Sequence, residues 1–174
     1  MRVPAIVVAG LLLVPFASVS AQSVNDAQIA SIVVTANQVD IDAGTLAASR
    51  STSREVRAFA QLMVTDHTGV NGSAIALAKK LNVTPQDNPT SRSLKADGAK
   101  NRDHLKTLKG TAFDKAYVEQ EVAYHQQVID ALDTALIPSA ANGELKALLI
   151  KVRPAFVAHL EHARGLLASL NKAN

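Results

Sequence analysis

Four stretches of this chain repeat one pattern. Apolar residues recur at alternating gaps of four and three, and near the middle of each stretch one ionisable side chain takes an apolar place. In 25–49 the seam reads Ile29, Val33, Ala36, Asp40, Ala43, Ala47, and in 56–81 it reads Val56, Ala60, Met63, His67, Val70, Ala74, Leu77. In 111–137 it reads Val118, Val122, His125, Ile129, Leu132, Leu136, and in 142–172 Leu145, Leu149, Val152, Phe156, His159, Ala163, Leu166. A seam of this period buries one narrow helix face against partner helices. The pattern therefore constrains the chain to a helical bundle and puts its four polar breaks in the core.

Local signals order the helices. Asn25-Asp26 offers a cap for the first, and Thr52-Ser53-Arg54-Glu55 has capping-box spacing for the second. The turn between them is so short that the two form an antiparallel hairpin. Gly69 and Gly72 weaken the second helix or mark a close approach by another backbone. The connection 82–110 is too long for a turn, and Leu94, Leu105 and Leu108 predict a short helix in it lying on the bundle. Running the length of the bundle, such a connection leaves the second and third long helices parallel, the crossover of ferritin-like bundles. Thr111-Ala112-Phe113-Asp114 predicts a further capping box, Pro138 with Ser139 a stop, Asn142 a last start, and Pro154 a kink in the last helix. The expectation is all-α: a ferritin-like up-down four-helix bundle with a long crossover containing a short helix.

Residues 1–21 stand apart from that domain, which is expected over 22–174. Arg2, the apolar run 6–16 and the exit Val19-Ser20-Ala21 describe a secretory signal peptide cut after Ala21. The apolar run is too short to span a bilayer, and no later segment is apolar enough. Absence of cysteine excludes disulfides, thiolate metal sites and a lipid anchor at the cleavage site. The expected location is thus periplasmic or secreted. Nucleic acid is not an expected partner. Net charge is only +3, and the densest basic stretch, 95–109, has Asp97 and Asp103 inside it and reads as a solvated helix face. Four phenylalanines, two tyrosines and no tryptophan leave little for base stacking. The reading leaves room for envelope association and for a homo-oligomer.

Asp40, His67, His125 and His159 sit near the midpoints of their helices, so a parallel second and third helix brings His67 and His125 to one height. Three imidazoles and a carboxylate suit a first-row divalent metal such as iron, zinc or manganese. Glu121, one turn before His125, leans toward the seam as a further carboxylate; His162 leans the same way from His159. Asn71 is placed to orient His67, Asp66 is expected at the surface or as an outer orienting group, and Asp42 faces away from Asp40. The alternative is a metal-free polar layer, since buried carboxylates and imidazoles pair with each other anyway. A preformed metal site requires the three ring nitrogens to converge within about 4–5 Å. The di-iron pattern Glu-x-x-His is absent, and Glu121-x-x-x-His125 is one residue longer, so a mononuclear site fits better than ferroxidase chemistry. No hydrolase triad or glycine-rich phosphate motif accompanies a strand, so no catalytic residue and no reaction is assigned.

Several short motifs resemble one family. Asp40-Ile41-Asp42-Ala43-Gly44 with Leu46-Ala47, Val56-Arg57-Ala58-Phe59-Ala60, and Met63-Val64-x-Asp66-His67 with Asn71 look like the DUF4142 family. So do Gly110-x-x-Phe113-Asp114-x-x-Tyr117, His125, and Pro154 with His159-Leu160. The resemblance implies an exported, ferritin-like helical bundle, often described as an outer-membrane protein and without an assigned activity. The family's acidic residue on the first helix corresponds to Asp40, where a longer glutamate is expected. Two classes of function follow: a bundle that binds a divalent transition metal, or a non-catalytic structural or stress-related envelope protein.

Overall fold

The computed structural model describes residues 24–172; the expected signal peptide lies outside the described residues. All the regular structure among those residues is helical: α1 (Asp26–Arg50), α2 (Arg54–Lys80), α3 (Pro89–Thr107), α4 (Gly110–Ala131) and α5 (Gly143–Lys172). A π-helical turn, Leu132–Leu136, and one helical turn, Ile137–Ser139, prolong α4. The stop at Pro138 explains the π turn. In a regular helix the proline ring would clash with the carbonyl of Thr134. The wider turn instead has Ile137 donating to the Leu132 carbonyl.

Two apolar clusters, one at each end of the bundle, fix the direction of every helix. One cluster joins the start of α1 (Ile29, Ile32), the end of α2 (Ala74), the end of α4 (Ile129, Leu132) and the start of α5 (Leu145, Leu149). The other joins the end of α1 (Ala43, Ala47), the start of α2 (Val56, Phe59), the start of α4 (Phe113, Tyr117) and the end of α5 (Ala163, Leu166). The order is therefore up, down, down, up, with α2 and α4 parallel as the crossover expectation requires. Each fully buried Val, Leu, Phe or Met side chain of the second cluster, such as Val56, Phe59, Met63 and Leu105, contributes roughly 1.5–3 kcal/mol.

The crossover itself is not a short helix. α3 has 19 residues, opened by a capping box in which Asn88 accepts from the backbone N–H of Ser91 and the Ser91 hydroxyl accepts in return. It runs along α1: Asn88 donates to the Gln28 carbonyl, and Arg50 donates to the carbonyls of Lys106 and Leu108. Gly98 lets the two axes meet, since a Cβ there would stand 2.7 Å from Cγ1 of Val39.

Two expected capping boxes are corrected. The N-cap of α2 is Ser53, which accepts from Val56, and α4 starts at Gly110 without a side-chain cap. Asp114 serves the neighbouring helix instead: buried, it accepts from the backbone N–H of Ser53 at 3.3 Å and the Thr52 hydroxyl at 3.4 Å. A carboxylate there complements the positive end of α2. The last helix does start as expected, with Asn142 accepting from Glu144 and Leu145. It continues as helix past Pro154, and Ile150, whose carbonyl the proline leaves without a donor, is exposed.

Gly69 and Gly72 mark no close approach, because a Cβ on either meets nothing within 4 Å. Gly44 does, with a Cβ site 3.0 Å from the Ala60 carbonyl oxygen. Gly69→Ala and Gly72→Ala are each expected to add up to about 1 kcal/mol of stability, and Gly44→Ala to remove some, as read from urea midpoints.

Candidate metal centre

Between the two apolar clusters lies a polar layer built by the four seam breaks. Asp40, His67, His125 and His159 are all buried, and so is Glu121, one turn before His125. The three imidazoles form a near-equilateral triangle, with ring centroids 5.4–5.5 Å apart. Phe156 stacks on His67 at 5.2 Å and 4° between planes, closing that side with an apolar wall. One potential ligand atom from each of His67, His125 and His159 lies within 4.8 Å of the others, and so does one from each of Asp40, Glu121 and His125. His125 belongs to both groups.

Each histidine has one ring nitrogen held and the other left over. Nδ1 of His67 contacts Oδ1 of Asn37 at 2.7 Å, Nδ1 of His125 the backbone carbonyl of Glu121 at 3.0 Å, and Nε2 of His159 the Asp66 carboxylate at 2.9 Å. Those acceptors require the held nitrogen to carry the proton. The remaining atoms, Nε2 of His67, Nε2 of His125 and Nδ1 of His159, are buried and find no hydrogen-bond partner. Nε2 of His67 is 3.0 Å, and Nε2 of His125 3.5 Å, from Oδ2 of Asp40, but neither contact has hydrogen-bond geometry. The aspartate is thus long enough to reach both rings.

Burial sets the charge state of the layer. It drives the pKa of His67 down to about 3, helped by His125 and His159, and holds that of His159 low against the opposing pull of Asp66. It raises the Glu121 carboxyl to about 8 and pushes Asp40 well above the usual carboxylate range, with Glu121 adding repulsion. The His67 and His159 imidazoles, held neutral, thus lie in one layer with a carboxyl pair that retains a proton at neutral pH. A divalent cation at their centre would replace that proton and neutralise both carboxylates.

The five residues expected as ligands, Asp40, His67, Glu121, His125 and His159, come together in this buried layer. Their neighbours differ from expectation. Asn37, not Asn71, orients His67; the Asn71 amide donates to the Val34 carbonyl at 3.3 Å. His162 is outside, exposed, with its ring edge on Phe59 at 5.0 Å. Asp66 takes the orienting alternative, on His159 rather than on its sequence neighbour. Sequence reasoning missed Tyr117, which is fully buried and faces Glu121 from the preceding turn. Its spacing of four from Glu121 was the available signal.

A profile of the family described as "Domain of unknown function (DUF4142)" matches residues 14–166. No curated protein and no solved structure matches the chain. Among the described residues no helix is long and apolar enough to cross a membrane.

Proposed function

The chain belongs to the DUF4142 family, a domain of unknown function, and from that premise we propose that its bundle binds one divalent transition-metal ion. The ligands are Nε2 of His67, Nε2 of His125 and Nδ1 of His159, with Asp40 and Glu121 as the anionic side of the site. The observation that carries this reading is the pairing on each ring, one nitrogen fixed by an outer partner and the other buried and unpartnered, in a layer where one ligand atom from each ring lies within 4.8 Å of the others. Outer partners of this kind set tautomer and ring orientation in metal sites. A tetrahedral site with bonds near 2.0–2.1 Å needs ligand atoms roughly 3.3 Å apart, so the triangle contracts modestly on binding. Imidazole with carboxylate suits zinc, iron or manganese. The proposal is of binding, and no reaction is attached to it.

Elemental analysis of the purified protein tests it. Wild type is expected to carry close to one equivalent of zinc, iron or manganese, and the His67→Ala/His125→Ala variant almost none. Sub-stoichiometric metal in both would overturn the reading. Asp66→Asn should weaken zinc binding by about 10–100-fold in competition with a chromophoric chelator, because it loosens His159 without removing a ligand.

The competing reading is a metal-free layer that fixes helix register. The 3.0 Å approach of His67 to Asp40 favours it. It predicts that chelators and added metal leave stability unchanged. The ferritin-like and exported character of the protein is part of the proposal too, supported by the crossover topology and by the leader-like composition of 1–21. A mature N-terminus at Gln22, read by N-terminal sequencing of the exported protein, is the expected result; an uncleaved start would refute export by this signal.

A further inference from the structure

A buried metal centre needs an entry path, and one cleft leads to this one. It lies between α3 and α4 over the middle of α1, and its volume of about 70 Å3 has room for a few water molecules. Asp40 and Glu121 are its buried acidic lining, and Asp97, Asn101, Gln120 and Gln127 line it as well. Asp97 and Gln127 are exposed and Asn101 and Gln120 half-buried, so polar side chains mark the way from solvent to the two carboxyls. Nε2 of His125, buried without a hydrogen-bond partner, is 3.5 Å from Oδ2 of Asp40. The inner end is therefore one side chain away from the three-histidine group.

The lining suits a cation. Among the described residues no lysine or arginine lines the cleft, although α3 alone carries Arg92, Lys95, Lys100, Arg102 and Lys106. Arg102 reaches Asp42 of α1 instead, at 3.2 Å. Carboxylate and amide oxygens remain, which are ordinary ligands of divalent ions. The seam is also free to widen. Elsewhere around the layer polar contacts cross-link the helices: His67 to Asn37 (α2 to α1), Tyr124 to the Ala36 carbonyl (α4 to α1), His159 to Asp66 (α5 to α2) and Arg164 to Gln126 (α5 to α4). α3 is fastened to α1, by Asn88, Arg50 and Arg102. Among the described residues no hydrogen bond or ion pair joins α3 to α4. Opening between them breaks no polar contact, so it belongs to the low-cost local motions of the fold.

We propose that the α3–α4 cleft is the route by which a divalent metal ion enters and leaves the bundle, an inference that rests on the metal reading. Asp97 captures the ion at the mouth. Asn101 and Gln120 replace part of its water on the way in, and Glu121 and Asp40 receive it before the imidazoles close round it.

Stopped-flow transfer of zinc between a chromophoric chelator and the metal-stripped protein tests the route. The chain has no cysteine, so Asn101→Cys provides a unique thiol in the cleft and Gln61→Cys a control thiol on the exposed face of α2. Coupled to a bulky maleimide, Asn101→Cys is expected to take up and release zinc at least ~10-fold more slowly than before coupling, with equilibrium affinity held within about 2-fold. Coupled Gln61→Cys should keep the wild-type rates. Circular dichroism checks that each retains native helix. Asp97→Lys, at an exposed position, keeps the route testable should the coupled thiol disturb packing. Its uptake should fall roughly 5-fold at low ionic strength, and the deficit should shrink as salt screens the charge. Unchanged rates in folded, coupled Asn101→Cys would sink the route, as would equal slowing in coupled Gln61→Cys or wild-type uptake by Asp97→Lys. The equilibrium level of zinc separates the two readings. Protein that fills with zinc at unaltered rates refutes this route alone; protein that never fills refutes the metal centre and the route with it.

Discussion

Stripping divalent metal from the purified protein is expected to lower its unfolding temperature, and His125→Ala to make stripped and metal-supplied samples unfold together. The magnitude follows from mass action. A ligand that binds only the folded state adds about 4 kcal/mol at a thousand times its dissociation constant. For a domain of this size each kcal/mol moves the unfolding midpoint by roughly 2–4 °C, so a shift on the order of 10 °C is expected. His125 is the residue to change because it is the one shared by the three-histidine group and the Asp40–Glu121 group. Its removal takes a ligand from either arrangement. The readout is the melting curve by circular dichroism with chelator, then with excess zinc. Identical wild-type curves in the two conditions would favour the metal-free layer instead.

The fold was legible wherever burial is carried by large apolar side chains at helical spacing. Val56, Met63, Leu149 and Phe156 announce their own helix face, and the four polar breaks are visible against them. α3 was undersized for the complementary reason. It is anchored by Ser91, Gly98 and Leu105, and two of these are small residues that give no hydrophobic signal. The difference between a short helix and one of 19 residues lay in side chains that pack by being small.

At the site, residues positioned by their own helix were readable, and those positioned by a neighbour were not. The seam period alone puts Asp40, His67, His125 and His159 inward. Asp66 lies about 100° round α2 from His67, which reads as outward until α5 brings His159 to that side. Which amide reaches His67 depends likewise on the rotation of α1 against α2, and that rotation favours Asn37 over Asn71. Relative rotation is a tertiary quantity set by side-chain interdigitation, and no periodicity within one helix encodes it.

Glu121→Gln is expected to make the metal-free protein more stable at alkaline pH while weakening its hold on metal. Burial raises the Glu121 pKa from 4.5 to about 8, so between those values the folded state binds a proton that the unfolded chain has released. Stability contributed by this group is therefore present below pH 4.5 and lost as pH rises through about 8. His67 works in the opposite direction. Its folded pKa of about 3 lies below the ordinary 6.5, so its stability is present above 6.5 and lost as pH falls toward 3. The metal-free wild type should thus be most stable between the two ordinary values, in mildly acidic solution. Glutamine keeps the shape and cannot ionise, so it removes the alkaline loss, which for a wholly buried group amounts to several kcal/mol. Metal should suppress the same loss in wild type, because a cation accepts the ionised carboxylate that the empty fold rejects. Urea unfolding near pH 6 and near pH 9, with and without zinc, measures all three effects. Equal stability of metal-free wild type at both pH values would refute the buried-carboxyl account. A Glu121→Gln variant that binds zinc as tightly as wild type would remove Glu121 from the ligand set and leave the anionic side to Asp40.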